Sequence, residues 1–390
     1  MTIDPRLPAA LTAGPFEEFL GDIAALGVMP VTASGISYGM IRARSNARWW
    51  LLPTAQGPAT SASLSMYQPV STNARLARLW IRTALRLGLT SAWASGRIRF
   101  SRQPRLPDGV LPKLGTCAYF TGTDGPHRKT AIQLMNREGD ILGYAKVSRR
   151  AAVRPYLWHE ARILDQVAKL KLTTAEIPNV LAFQDPGEGL PTILATDSCK
   201  AAGVSSPMDP AAPHLRFLGE MMRRTGSAGA HSANRSLREM AGDRRLTEQW
   251  ETRFWLGLER LEQFVPAMPV GLAHGDFTPW NSFLLNGRLY VFDWEYAAEE
   301  YPSGYDLTHY LLAARGAGEP GEVADQLVAR VAEAVLDGDR AFARAAVLMS
   351  LLLHAGFYLR RAMKCSGDCA DWAEGQARGC IIDALLNGRG

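Results

Sequence analysis

His274, Gly275 and Asp276 stand together in a stretch that reaches Asn281 five residues beyond Asp276 and Asp293 seventeen residues beyond it. Between Asn281 and Asp293, the pair Asn286-Gly287 separates the apolar runs FLL and LYVFD. An Asn-Gly pair between such runs is a strong signal for a two-residue hairpin. A hairpin here leaves Asp276 and Asn281 on the loop that enters it and returns Asp293 to the vicinity of Asn281. An acid, an amide and a second acid then share one small volume. One carboxylate can orient a hydroxyl and accept its proton, while an amide oxygen and a second carboxylate are hard ligands that suit Mg2+ rather than zinc. Phosphoryl transfer to a hydroxyl needs that set of groups.

Those residues need a scaffold. TCAYFTG, TAIQLMN and DILGYAKVS, beginning near residue 116, read as three strands broken by GTDGPH and REGD, an antiparallel meander. A helical run follows at 154–170, then strand candidates NVLAF at 179–183 and TILAT at 192–196. Residues 199–210 read as a linker. Helical patterns then fill 212–224, 246–265, 320–336, 339–360 and 370–386, interrupted by short strands within 283–294.

The strings HGDFTPWN and VFDWE, in that order and spacing, resemble the catalytic core of the aminoglycoside phosphotransferase and choline kinase family, which shares the protein-kinase fold. The resemblance spans roughly residues 115–360. It implies an α+β, two-lobed protein-kinase-like fold. Residues 111–198 would form a small antiparallel nucleotide-binding lobe and 199–390 a larger helical lobe for catalysis and acceptor binding. Residues 1–110 would be an Arg-rich extension or accessory domain. ATP and Mg2+ are the implied cofactors, with Asp276 as catalytic base and Asn281 and Asp293 as metal ligands. His274 would support the loop, and Asp306, in the string YDLTH that opens a helix, would brace it from below.

The same resemblance requires a Lys on the third strand and a Glu on the next helix. Lys146 in GYAKVS and Glu160 in LWHEARIL meet that requirement. The turn Thr121–His127, with Gly122, Thr123 and Gly125, would cover the phosphates through backbone amides, although it carries fewer glycines than a dense Gly-rich loop. Ala195 through Ser198, including Asp197, would be the hinge and would meet the base through backbone groups, which leaves ATP and GTP both open.

The acceptor is left open as well. Family acceptors include aminoglycosides, macrolides, amino alcohols, homoserine and sugars. Asp197, Glu295, Glu299 and Glu300, with Trp280, Trp294, Tyr296 and Tyr301, suit a cationic or a sugar acceptor. Two enzyme readings stand side by side, a sugar or cell-surface glycan kinase and an antibiotic or amino-alcohol kinase. A pseudokinase is the third. The presence of Lys146, Glu160, Asp276, Asn281 and Asp293 argues against it.

The charge is uneven. The stretch between Asp22 and Asp108 holds eleven Arg and no Asp, Glu or Lys, against a net charge of +5 for all 390 residues. Such a block suits an anionic lipid or glycan, or a patch docked on acidic protein surface. No zinc-finger or aromatic RNA-binding motif accompanies it, so nucleic acid is not expected. Within the block, residues 72–87 show helical spacing, with Leu76, Leu79, Trp80, Ala84 and Leu87 on one face and Arg75, Arg78, Arg82 and Arg86 beside it. The expectation is a helix packed on its apolar face with a solvated Arg stripe. The alternative is a basic amphipathic helix lying on anionic lipid. Residues 53–73, rich in Pro, Ser, Thr and Gly, read as a loop.

Five scattered cysteines and no signal-peptide pattern favour a reducing cytosol, with peripheral contact to the inner face of a membrane through the Arg block. Cys365-Ser-Gly-Asp-Cys369 lacks the partner pair of a zinc site. The longest apolar run, 345–357, is shorter than a bilayer span.

Overall fold

The computed structural model describes residues 14–43, 48–55, 58–66, 72–87, 89, 93–107, 114–123, 125–187, 189–314, 318–365 and 374–388. Contacts divide the chain into two units, residues 1–166 with 178–202 and residues 167–177 with 203–390. The first part of the chain runs α1 (Pro15–Ala25), β1 (Ile36–Arg42), β2 (Trp49–Pro53), α2 (Pro58–Ala62), α3 (Thr72–Arg86), β3 (Gly96–Phe100), β4 (Thr116–Phe120), β5 (Thr130–Met135), β6 (Ile141–Ser148), α4 (Arg154–Lys169), β7 (Ala175–Glu176), β8 (Val180–Gln184) and β9 (Thr192–Asp197).

One eight-stranded sheet organises the first unit, in the order β3-β1-β2-β4-β5-β6-β9-β8 with every neighbouring pair antiparallel. The five strands read from the sequence are β4, β5, β6, β8 and β9. The other three come from the Arg-rich segment, which adds strands to the same sheet. Successive strand residues face opposite sides. On one side Cys117 and Tyr119 pack with Phe16, Phe19, Leu20 and Ile23 of α1, at the i, i+3, i+4, i+7 spacing of a helix face. On the other side Ala118, Trp50 and Leu52 pack with Ile81 and Ala84 of α3. Coverage on both faces explains why these strands read as apolar runs.

The helix expected at 72–87 is present, but its expected packing is corrected. Its inward residues are Ile81 and Ala84, whereas Leu76, Leu79, Trp80 and Leu87 are exposed. The widest apolar stripe of α3 therefore faces outward, because the neighbouring sector of the helix already fills the sheet. Arg82 is exposed beside that stripe, while the side chains of Arg75 and Arg86 lie outside the described residues. The loop expected over 53–73 contains α2 and a 3-10 turn at Ser63–Met66. Hydroxyl groups stabilise these short elements: Ser63 donates to the Thr60 carbonyl at 2.6 Å and Ser65 to Gln133 Oε1 at 2.7 Å. Residues 56–57 and 67–71 of that stretch lie outside the described residues.

The second part of the chain runs β10 (Val204–Ser205), α5 (Ala212–Thr225), β11 (Ser227–Ala228), α6 (His231–Ala241), α7 (Glu248–Leu261), β12 (Pro269–Ala273), β13 (Ser282–Leu285), β14 (Arg288–Val291), β15 (Ala298–Pro302), α8 (Tyr305–Ala314), α9 (Pro320–Val335), α10 (Arg340–Cys365) and α11 (Gly375–Asn387). Small sheets β10-β13-β14-β7 and β11-β12-β15 are embedded among these helices. The helix α6 was not legible, since HSANRSLREMA is polar and buries only Ala233, Leu237, Met240 and Ala241. By length and composition α10 could cross a bilayer, longer than the run read from sequence, yet 78% of its apolar window is buried as the core helix of this unit. Glu220 on α5 accepts from the backbone and hydroxyl groups of Thr173 and Thr174. Burial alone would raise its pKa, but those hydrogen bonds hold it at about 2.

Candidate active site

The hairpin read from the sequence is β13-β14, with Ser282 opposite Val291 and Leu285 opposite Arg288. Asn286 and Gly287 both adopt positive φ, 51° and 79°, as a primed two-residue turn requires. Pairing brings the ends of the motif together: the Phe292 amide donates to the Asn281 carbonyl at 3.2 Å. Asp293 follows with φ 72°, a left-handed conformation uncommon outside glycine.

The loop before the hairpin is over-determined. Asp306, in the first turn of α8, accepts the His274 amide at 2.7 Å and the Gly275 amide at 3.0 Å. Its carboxyl is fully buried and burial raises its pKa, with His274 and the two amides opposing the rise. The His274 Nδ1 accepts the Asp276 amide at 3.2 Å and Nε2 faces the Phe292 carbonyl at 3.0 Å, which assigns the proton to Nε2. Its ring lies 4.6 Å from that of Trp294. His274 thus braces the loop. Gly275 has φ 84°, and a Cβ there would meet the Tyr296 carbonyl oxygen at 2.0 Å, so only glycine fits.

Asp276 is held at both oxygens. The Asn281 side-chain amide donates to Oδ2 at 2.8 Å and to the Asp276 carbonyl at 3.0 Å. On the other side, His309 Nε2 lies 2.9 Å from Oδ1. With its nitrogen committed, Asn281 has its carbonyl oxygen as the atom to offer a cation. An amide oxygen and the Asp293 carboxylate are the donor set Mg2+ prefers, so the residues fit the metal. His309 was not singled out by the sequence. The available signal was its spacing: residues 306 and 309 lie one turn apart on α8, so one helix face presents both to the loop.

In the first unit, Lys146 on β6 lies opposite Ala131 and Leu194. Its Nζ is 2.6 Å from both carboxylate oxygens of Glu160 on α4, and Glu160 is buried. The β4–β5 turn is tied to α1. Arg128, 2% exposed, reaches the Thr121 carbonyl, Glu18 Oε2 at 2.8 Å and Asp22 Oδ2 at 2.6 Å. Arg150 reaches the Gly125 carbonyl and Glu18. Gly122 has φ 84° and would clash with the Lys129 carbonyl if it carried a Cβ, whereas Gly125 opens to empty space. Thr123 is exposed, and Asp124 lies outside the described residues.

The strand that precedes the expected hinge runs further than the sequence suggested. Ala195 is buried within β9 between β6 and β8, and the strand continues to Asp197 because pairing with β6 continues to Gly143. The Asp197 carboxylate accepts the Asn179 amide and side chain, both at 2.7 Å, and its own amide donates to the Asn179 carbonyl at 3.0 Å. The connector therefore begins at Ser198. Among the expected acceptor groups, Trp294 is a buried core residue whose indole donates to the Val291 carbonyl at 3.1 Å, and Glu295 is buried, while Glu299, Glu300 and Trp280 are exposed. Cys117 and Cys380 carry free thiols. Cys369 and the Cys365 side chain lie outside the described residues.

The family model of the phosphotransferase enzyme family matches residues 144–346. A search of curated proteins finds no match. Among solved structures, an aminoglycoside phosphotransferase crystallised as a thermostable mutant with ADP and hygromycin B is similar at 15% identity, TM-score 0.47, over 71% of this chain and 95% of that one. A putative fructosamine-3-kinase from Haemophilus somnus 129PT matches at 11% identity, TM-score 0.44, over 68% and 90%. A choline/ethanolamine kinase family protein from Mesorhizobium loti matches at 16% identity, TM-score 0.38, over 66% and 85%. These structural likenesses are remote, and the family match carries the assignment. It spans slightly more than half of the chain and contains the Lys146, Glu160 and Asp276–Asp293 motifs, so the protein belongs to the phosphotransferase enzyme family and is a small-molecule kinase.

Proposed function

We propose that the protein transfers the γ-phosphoryl group of ATP, with Mg2+, to a hydroxyl of a small molecule, a sugar or glycan-related acceptor ahead of an aminoglycoside-type antibiotic. The observation that carries this reading is the Asp276 carboxylate gripped at one oxygen by Asn281 and at the other by His309. Held in that way, it can orient an acceptor hydroxyl and take its proton as the oxygen attacks the γ-phosphorus. The new P–O bond forms as the bond to the β-phosphate oxygen breaks, and ADP leaves with that electron pair. Lys146, oriented by Glu160, would hold the nucleotide phosphates, and backbone groups of Gly122, Thr123 and Gly125 would cover them. Asn281 and Asp293 would hold Mg2+, which neutralises charge on the phosphates when bound. Asp276→Asn tests the assignment: it should lose most turnover while nucleotide binding persists, and unchanged turnover would refute the base.

Contact of the Arg-rich segment with an anionic lipid surface is a separate proposal. The exposed Leu76, Leu79, Trp80 and Leu87 of α3, with Arg82 beside them, support it. Co-sedimentation with anionic vesicles should fall when Leu79 and Trp80 are changed to Asp. Equal sedimentation of both forms would rule it out.

A further inference from the structure

The wall next to Asp276 in the helical unit carries positive charge on an aromatic shelf. From Asp276 the contacts run to His309, then ring to ring to His354 at 4.7 Å and on to Tyr358 at 4.7 Å. Tyr358 is pushed up to about 12 by burial and then by the Asp276 charge, with Arg361 and Arg378 pulling it down and Glu374 adding to the rise. Its hydroxyl therefore lies in the fields of the carboxylate and of two guanidinium groups. Arg361 sits 5.5 Å over the Tyr296 ring, 5.4 Å over Phe357 and 5.8 Å over Tyr358, and donates to the Tyr296 hydroxyl at 3.1 Å. The Asp293 charge acts on Tyr296 as well. The Nε of Arg378 is buried and has no hydrogen-bond partner among the described residues.

These cations are distinct from the structural arginine beside them, since Arg360 is committed to the Ser236 carbonyl at 3.0 Å. Of the acids expected to greet a cationic acceptor, Asp197 is taken by Asn179 and Glu295 is buried, whereas Glu299 and Glu300 are exposed on β15. Outside the motif, Glu374 acts on Tyr358 and raises its pKa. Asp276 is reserved for the reacting hydroxyl and Asp293 for the metal. Along the contacts that lead away from Asp276, the group offered to the body of the acceptor is the Arg361 guanidinium above aromatic faces. A guanidinium matches a carboxylate or phosphate with two parallel hydrogen bonds, and the flanking rings suit the face of a sugar.

From this geometry we infer that the acceptor is a hydroxylated organic anion, a sugar acid or sugar phosphate whose negative group docks on Arg361 and Arg378. The inference rests on the reading of Asp276 as the base. It separates this chain from an enzyme built for a polycationic antibiotic, because a polycation would have to approach Arg361 against its charge.

The test uses the full chain with Mg2+ and γ-labelled ATP on acceptors that share hydroxyls: glucose, glucuronate, glucose 6-phosphate and glucosamine, with kanamycin as the polycation. Kcat/KM for an anionic member should exceed that for glucose and glucosamine by about tenfold or more, a difference of about 1.4 kcal/mol. The two anions report whether carboxylate or phosphate is preferred. Arg361→Gln should collapse the anionic-to-neutral ratio by a similar factor through KM, and Arg361→Lys should restore part of it. Preference for glucosamine, kanamycin or glucose, or an equal effect of Arg361→Gln on all acceptors, overturns the inference. A second readout needs no turnover of the acceptor. Calorimetric titration of glucuronate and glucose 6-phosphate into protein saturated with a non-hydrolysable ATP analogue should give binding that weakens in Arg361→Gln and Arg378→Gln. Absence of binding by either anion, or binding indifferent to both substitutions, also overturns it. The kinase reading fails separately, if wild-type protein hydrolyses no ATP in water or does so as well with Asp276→Asn.

Discussion

Replacing His309 probes the least anticipated contact of the site. Its Nε2 is 2.9 Å from Asp276 Oδ1, and the histidine side chain is 9% exposed against 26% for the aspartate. A hydrogen bond to a charged acceptor contributes about 1.5–3 kcal/mol. At 1.36 kcal/mol per tenfold in rate, its loss should lower kcat about 10- to 100-fold if the contact orients the carboxylate. His309→Ala would also leave a gap against His354, whose ring lies 4.7 Å away. His309→Phe fills the volume while removing the donor, so it isolates the hydrogen bond. Initial rates with γ-labelled ATP, measured alongside nucleotide affinity, should show kcat falling with affinity kept. Combined with Asp276→Asn, the His309→Phe change should add almost nothing, since a positioning residue acts only through the group it positions. A His309→Phe enzyme within twofold of wild type, or a double variant whose loss is the product of the single losses, would refute the assignment.

Lys146→Ala removes the cation from a buried Glu160, so it should raise the KM for ATP and lower the melting temperature together; if affinity and rate both survive, the assignment of the small lobe is wrong. Gly275→Ala forces a methyl group into the Tyr296 carbonyl at positive φ, and thermal melting should show a destabilised protein without turnover. Glu220 has a folded pKa of about 2 against 4.5 for the free side chain, so its contribution, on the order of 3 kcal/mol, is present above pH 4.5 and fades as pH falls toward 2. The melting gap between wild type and Glu220→Gln should be full at pH 6 and much reduced by pH 3; a gap that widens on acidification would contradict the sign. Asp22→Ala strips the buried Arg128 of a partner, so melting temperature and ATP affinity should both fall, whereas unchanged ATP affinity would mean that α1 does not support the β4–β5 turn.

The arrangement of the candidate site was legible because its geometry is local. Asp276, Asn281 and Asp293 are joined by one hairpin, and an Asn-Gly turn declares its own backbone conformation. The meander carrying Lys146 was legible for the same reason, since its strands are sequential neighbours. What the sequence concealed depends on partners far along the chain. Nothing near Leu76 or Trp80 says which sector of α3 the sheet takes, so the wider apolar stripe looked like the packed one. The end of β9 was set short because a strand ends where its neighbour stops pairing, and β6 pairs with β9 as far as Asp197. The role of His309 required knowing that α8 docks beneath the loop, and the wall of Arg361 and Arg378 is assembled from α10 and α11, some 70 to 100 residues beyond the motif.

The Arg-rich block illustrates the same limit from the other side. Counted by composition, its eleven arginines ask for acids elsewhere. Two of the three acids of α1, Glu18 and Asp22, instead hold Arg128, Arg149 and Arg150, which lie beyond the block. These ion pairs join α1 to the turn expected over the phosphates and to the residues that follow the Lys146 strand. Arg128 and Asp22 are both buried, and the Thr130 hydroxyl donates to the same Asp22 oxygen at 2.8 Å. A buried pair is a weak source of net stability but a strong constraint on geometry, because breaking it strands a charge. The N-terminal segment is therefore coupled to the strands that follow it twice, by three added strands in their sheet and by an ionic lock on the β4–β5 turn. A segment attached only as an accessory domain would need neither.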